Sequence, residues 1–316
     1  MIYKIIQEER QTMAMKKKRV LGLLLGLVLM LLGMSMTVYA AETTEYDLWV
    51  GGTQVTSANA SDVLVNDPAN AGKVSFTPAS DGNPATLTLN GASISGGGSK
   101  SAAIYAGVDL GMTINVTADS TVTCPGNGVY SYESLTVTGT GTLTAVGGAA
   151  SSGNSYGVWA NGAVTVNGTL VARGGTAYYN SCGVYAEKAV TVNKGGTLTA
   201  EGGAASNDYC SSTGVWSTNG DIFVAEGGTL TGIGDAANYA SYGVFAADGA
   251  VTVNGRLTAA GRPAKESRSV GVRAKAVTVN GTLEARGDTA NINSAGILAL
   301  TLDEHKSSTT LIQMYR

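Results

Sequence analysis

The sequence predicts an all-β chain wound as a right-handed parallel β-helix solenoid, with about 7–8 coils of 25–31 residues and three short strands per coil. Three observations predict it. A Gly-Val/Ile pair followed by a large residue recurs along the chain, two more β-rich runs fill each interval, and the composition suits short strands and tight turns. Of 316 residues 44 are Gly and only 14% are charged, while Val, Thr, Ala, Ser and Asn are abundant.

Taken in order, residues 1–40 read as a signal peptide. Lys16, Lys17, Lys18 and Arg19 form a basic region, Val20 to Leu32 are apolar, and Val38-Tyr39-Ala40 offers a cleavage site after Ala40. The apolar run is shorter than the roughly 20 residues a spanning helix needs. An exported, soluble mature chain without a transmembrane segment is therefore expected. Cleavage would leave 14 Lys and Arg against 21 Asp and Glu, a net charge near −7, which disfavours nucleic acid as a partner. Residues 41–82 form a different, β-rich segment. Tyr46 to Gly52 and Val74 to Phe76 read as strands around a polar loop, placed to cover the open end of a solenoid core.

The coils occupy 83–302. The triplets are Gly128-Val129-Tyr130, Gly157-Val158-Trp159, Gly183-Val184-Tyr185, Gly214-Val215-Trp216, Gly243-Val244-Phe245, Gly271-Val272-Arg273 and Gly296-Ile297-Leu298, at spacings of 29, 26, 31, 29, 28 and 25 residues. Ala103-Ile104-Tyr105 is an earlier, divergent copy. Two runs follow each triplet, as in Val164-Thr165-Val166 and Thr169-Leu170-Val171-Ala172. Alternation points the valines and leucines inward and Thr165, Thr191, Thr252 and Thr278 outward. Asn167, Asn193, Asn254 and Asn280 end the second run. They fit either a ladder of stacked amides or plain Asn-Gly turn chemistry. Residues 303–316 read as an aperiodic tail, a truncated or non-native end.

The stretches Gly128–Gly148 and Gly183–Gly203 resemble the repeat of calcium-containing, right-handed β-helix carbohydrate-binding proteins of Gram-positive bacteria, a non-catalytic relative of the pectate-lyase solenoid. The lead-in Tyr46 to Val55 is similar to the opening of exported proteins that carry such domains. The likeness covers roughly 46–300. It implies glycan binding and, by analogy, calcium. The family's acidic pair before the second strand is replaced here by Tyr132-Glu133-Ser134, Glu187-Lys188-Ala189 and Asp248-Gly249-Ala250.

Three sets of residues are candidates for chemistry. Tyr105, Tyr130, Trp159, Tyr185, Trp216 and Phe245 hold one repeat position in six consecutive coils, with Arg273 next. Inward valines precede them and small residues follow, so alternation turns them outward. They form either a flat platform for sugar rings or a stabilising stack under loops. The turns 147–156, 174–182, 202–213, 234–242 and 261–270 carry Tyr156, Tyr178, Tyr179, Tyr209, Tyr239 and Tyr242, and are binding loops or tolerated surface loops. Glu133, Glu187, Asp221 and Asp248 are calcium candidates, at about one acid per coil against the six to eight oxygens calcium takes, or else solvated turn residues.

Clustered carboxylates for a lyase or hydrolase are absent from the coils. The single histidine, His305, lies in the tail, so an enzyme is not expected. Cys124, Cys182 and Cys210 allow one disulfide, Cys182 with Cys210, about a coil apart. The expectation is a secreted or cell-surface monomer whose partner is a polysaccharide. A structural or adhesive solenoid binding a protein or cell-wall partner, or a degenerate polysaccharide lyase, are the alternatives.

Overall fold

The structure is a computed structural model that describes residues 1–33, 42–107, 111–304 and 309–313. Two compact units divide the chain, residues 1–43 and 44–316. The first holds an α-helix, Ile2–Gly33, that includes the basic and apolar runs of the expected signal peptide. No helix among the described residues is long and apolar enough to cross a membrane. The expected cleavage site at Val38–Ala40 lies outside the described residues, as does His305.

The second unit is a parallel β-solenoid of about eight turns. Its strands stack into three sheets of 10, 10 and 9 strands, and consecutive coils contribute neighbouring strands to each sheet. Register is kept residue for residue. In the third sheet Leu143, Leu170, Leu198, Leu230, Leu257 and Leu283 pair in line. In the second, Val164 pairs with Val190, then Ile222, Val251 and Val277. These side chains are almost wholly buried and belong to one continuous core. Each contributes about 1.5–3 kcal/mol through lost apolar surface. A single coil cannot bury its own residues, so the sequence repeat and the shared core are one physical fact.

The triplet glycines from Gly128 to Gly271 have a packing reason. A Cβ on Gly157 would stand 2.7 Å from the Gly183 carbonyl oxygen and against the backbone nitrogen of Arg173, so only glycine lets the first and third sheets approach so closely.

Residues 45–77 break the parallel rule. Glu45–Val50 pairs antiparallel with Thr53–Thr56 and with Ala102–Ala106, and Val74–Thr77 pairs antiparallel with Ala85–Asn90. Val55, Val63, Leu64 and Phe76 join the core from this segment. At the other end the ladder runs past the tail's expected start. Thr301–Glu304 pairs with Ala276–Val279, and Thr309–Gln313 with Thr282–Arg286, in parallel register. These strands lack the Val-Thr-Val and Thr-Leu-Thr-Ala wording of the repeat, and backbone pairing does not require it.

Candidate functional site

The first sheet carries the aromatic column. Tyr105, Tyr130, Trp159, Tyr185, Trp216 and Phe245 are paired in register, and Arg273 and Leu298 continue the row. The flanking Val129, Val158, Val184, Val215 and Val244 have no exposed surface, whereas every ring of the column is half-buried. The column therefore lies on the outer face. Sequence reasoning missed its first member. Trp49 pairs with Tyr105 across the antiparallel junction, and the Lys100 ammonium lies 4.9 Å from the Trp49 ring and 4.4 Å from the Tyr105 ring.

The rings do not form the expected flat platform. Tyr105 and Tyr130 stack at 4.9 Å with planes 12° apart. Trp159 then stands edge-on to Tyr130 and Tyr185, at 80° and 86°. Trp216 is edge-on to Tyr185 at 77° and tilted 32° from Phe245. Aromatic quadrupoles favour such edge-to-face contacts over sandwiches, and strand spacing brings the rings within their range. Several polar handles are already engaged. Thr218 Oγ1 donates to the Tyr185 hydroxyl at 3.1 Å, and Asn161 Nδ2 to the Tyr130 hydroxyl at 3.4 Å. The indole nitrogens of Trp159 and Trp216 are buried with no hydrogen-bond acceptor. Burial, then the neighbouring Tyr105, raises the Tyr130 phenol above its ordinary pKa.

A second layer lies under the turns. Tyr156 and Tyr242, expected on variable loops, are 5% and 3% exposed and pack on the column: Tyr156 on Trp159 at 5.2 Å and Tyr242 on Phe245 at 4.8 Å. Both residues lie within strands of the first sheet, Ser155–Ala160 and Ala240–Ala246, and not on the turns. Burial drives the Tyr156 phenol far above its usual range. Tyr178, Tyr179, Tyr209 and Tyr239 are exposed, as loop residues should be.

The turns themselves are ordered by a device the sequence reading overlooked. Ala150, Ala177, Ala205, Ala237, Ala264 and Ala290 bridge in parallel from coil to coil. Beside them runs a column of buried serines in five consecutive strands, Ser155 to Ser269. Ser181 Oγ donates to the Gly175 carbonyl at 2.7 Å and accepts from the next coil's Gly203 N–H at 2.7 Å. Ser155, Ser212, Ser241 and Ser269 accept equivalent N–H bonds from Gly175, Asp235, Arg262 and Asp288. The signal was present as Gly-x-x-Ala in six consecutive coils, Gly147–Ala150 to Gly287–Ala290.

The acidic candidates do not assemble into a metal centre. Asp248 Oδ1 is ion-paired with Lys275 at 3.0 Å, and Asp221 Oδ1 accepts the Ala250 N–H at 2.8 Å. Glu133 and Glu187 occupy the corresponding turns of other coils. Among the described residues no three His, Cys, Asp or Glu side chains converge to hold an ion, so these residues do not fit the calcium that the family likeness implies. Cys124, Cys182 and Cys210 are free thiols, so the Cys182–Cys210 pairing that the spacing allows is not made. Burial pushes the Cys182 thiol well above its ordinary pKa. The asparagine ladder is present in two steps. Asn193 donates to Asn167 at 2.7 Å and Asn280 to Asn254 at 2.8 Å, while Ala225 interrupts the row between them.

Comparison with protein-family models, with curated proteins and with solved structures returned no match.

Proposed function

We propose that this solenoid is an exported or cell-surface protein that binds polysaccharide along its outer aromatic column. One observation carries the reading: seven aromatic residues, Trp49 to Phe245, lie in seven consecutive strands of one sheet. At ~4.8 Å per strand the row is roughly 30 Å long. That step is close to the length of one pyranose unit in an extended glycan, so rings and sugar units would keep step over several residues. Tyr and Trp offer broad apolar faces at little entropic cost. The turning ring planes favour a ligand that meets edges and faces in alternation over a flat crystalline surface. The resemblance of the repeat to β-helix carbohydrate-binding proteins of Gram-positive bacteria points the same way.

A second reading has its own support. The Tyr185 and Tyr130 hydroxyls and Arg273 bond within the protein, as members of a purely stabilising stack would. A glycan array probed with the full chain, followed by Trp159→Ala with Trp216→Ala, separates the two. Loss of binding by at least about tenfold (~1.4 kcal/mol) with thermal stability retained supports glycan recognition. Binding retained by the double variant, or no glycan bound by the native chain, overturns it.

A further inference from the structure

Positive charge is gathered in the late coils. Residues 256–286 contain seven of the 14 Lys and Arg beyond residue 40 but only two of the 21 acids, Glu266 and Glu284. The remainder of 41–316 sets seven bases against 19 acids. Such segregation concentrates an anion-attracting potential at one place on an otherwise acidic molecule.

Three of these cations, Arg268, Arg273 and Lys275, meet in a cleft of about 290 Å³ where the aromatic column ends. The other seven lining residues are all apolar, with Phe245, Leu298 and Leu300 the large ones, and no carboxylate lines it among the described residues. Beneath, Tyr242 and Val270 form a small buried cluster that supports Phe245 and Leu298. Arg273 is held in a fixed orientation. Its guanidinium carbon lies 4.8 Å from the Phe245 ring centre and 5.5 Å from that of Tyr242, and one nitrogen donates to the Tyr242 hydroxyl at 2.8 Å. A guanidinium stacked on one face and tied at one N–H keeps donors for a planar anion, and little freedom is lost when that anion arrives. Lys275 is shared with Asp248 and contributes less.

Apolar walls with a cationic rim match a ligand with an apolar body and an anionic head. The volume sits at the small end of the ~300–1,000 Å³ range of ligand clefts, which limits the body to about one ring. We propose that this cleft binds a small aryl carboxylate. The ring lies against Leu298, Leu300 and the edge of Phe245, and the carboxylate takes a forked pair of bonds from Arg273 with Arg268 beside it. A hydroxylated sugar would leave the apolar walls unused, so this ligand class is separate from the polysaccharide of the column.

Calorimetry on the full chain tests it with three probes: cinnamate, cinnamamide (the same body without charge) and acetate (the charge without the body). Cinnamate should bind at least about tenfold more tightly than either of the others. Arg273→Lys keeps the charge but loses the fork, and should weaken cinnamate about tenfold with thermal stability unchanged. Arg286→Ala removes equal charge from a different sheet and should leave binding intact. Equal affinity for cinnamate and acetate would reduce the cleft to an unspecific anion site. Equal affinity for cinnamate and cinnamamide, no binding of any probe, or an Arg286→Ala loss as large as that of Arg273→Lys would each overturn the proposal.

Discussion

Replacing Ser181 by alanine tests the serine column in its simplest form. The hydroxyl is fully buried and makes two bonds of 2.7 Å, one within its own coil and one to the next. Alanine fits the space but leaves the Gly203 N–H without its acceptor and the Gly175 carbonyl without its donor. A buried group left unsatisfied costs about 1–3 kcal/mol. Gly175 and Gly203 are themselves only half-buried, so water recovers part of that cost. The expected loss is then about 2 kcal/mol, which exceeds the ordinary effect of a surface serine change (within about 0.5 kcal/mol). With a urea slope of ~2 kcal/mol/M the midpoint should fall by about 1 M. Ser151→Ala, at an exposed position of the preceding turn, is the control and should leave the midpoint unchanged. A Ser181→Ala midpoint within error of the native protein would refute the argument that these hydroxyls clip one coil to the next.

Other consequences are equally direct. Leu198→Ala, at a position with no exposed surface between Leu170 and Leu230, should cost about 2–5 kcal/mol in urea or thermal unfolding, while the outward Thr199→Ala should cost under about 1 kcal/mol. In native buffer a thiol reagent should reach the half-buried Cys210 first, slowly because burial raises its thiol pKa, with Cys124 and Cys182 reacting only on unfolding. The Tyr156 phenol is held neutral by burial, its folded pKa raised above the ordinary 10.0. Its contribution to stability is complete below about pH 10 and is lost as pH climbs toward the folded value, because the unfolded chain ionises first. Tyr156→Phe should therefore flatten the fall in urea midpoint above pH 10 relative to the native chain. Millimolar calcium against EDTA should leave the melting temperature unchanged, since no described cluster of acids can gain an ion.

Particular residues show why much of the fold was legible. A strand's two-residue period and a repeat of 25–31 residues act together, so Leu143 to Leu283 and Val164 to Val277 declare both their face and their column. The outward course of Tyr105 to Phe245 followed from the same logic. Ring orientation did not, because it is decided by contacts between coils that sequence alternation does not encode. Tyr156 and Tyr242 were assigned to turns because the strands begin before the Gly-Val pair, at Ser155 and Ala240, where the repeat wording does not yet mark them. Trp49 escaped notice because it joins the column from an antiparallel strand outside the repeat. The serines were read as loop residues since their partners, Gly175, Gly203 and Asp235 among them, are backbone groups one coil away.

All three tryptophans of the chain, Trp49, Trp159 and Trp216, stand in the proposed glycan-binding row. Tryptophan emission consequently reports on that row and on nothing else in the molecule. Titrating the full chain with a soluble polysaccharide that it retains on a glycan array should shift or quench this emission saturably, with the same midpoint as binding followed by calorimetry. Calorimetric binding that leaves the emission unchanged would place the glycan elsewhere and contradict the account.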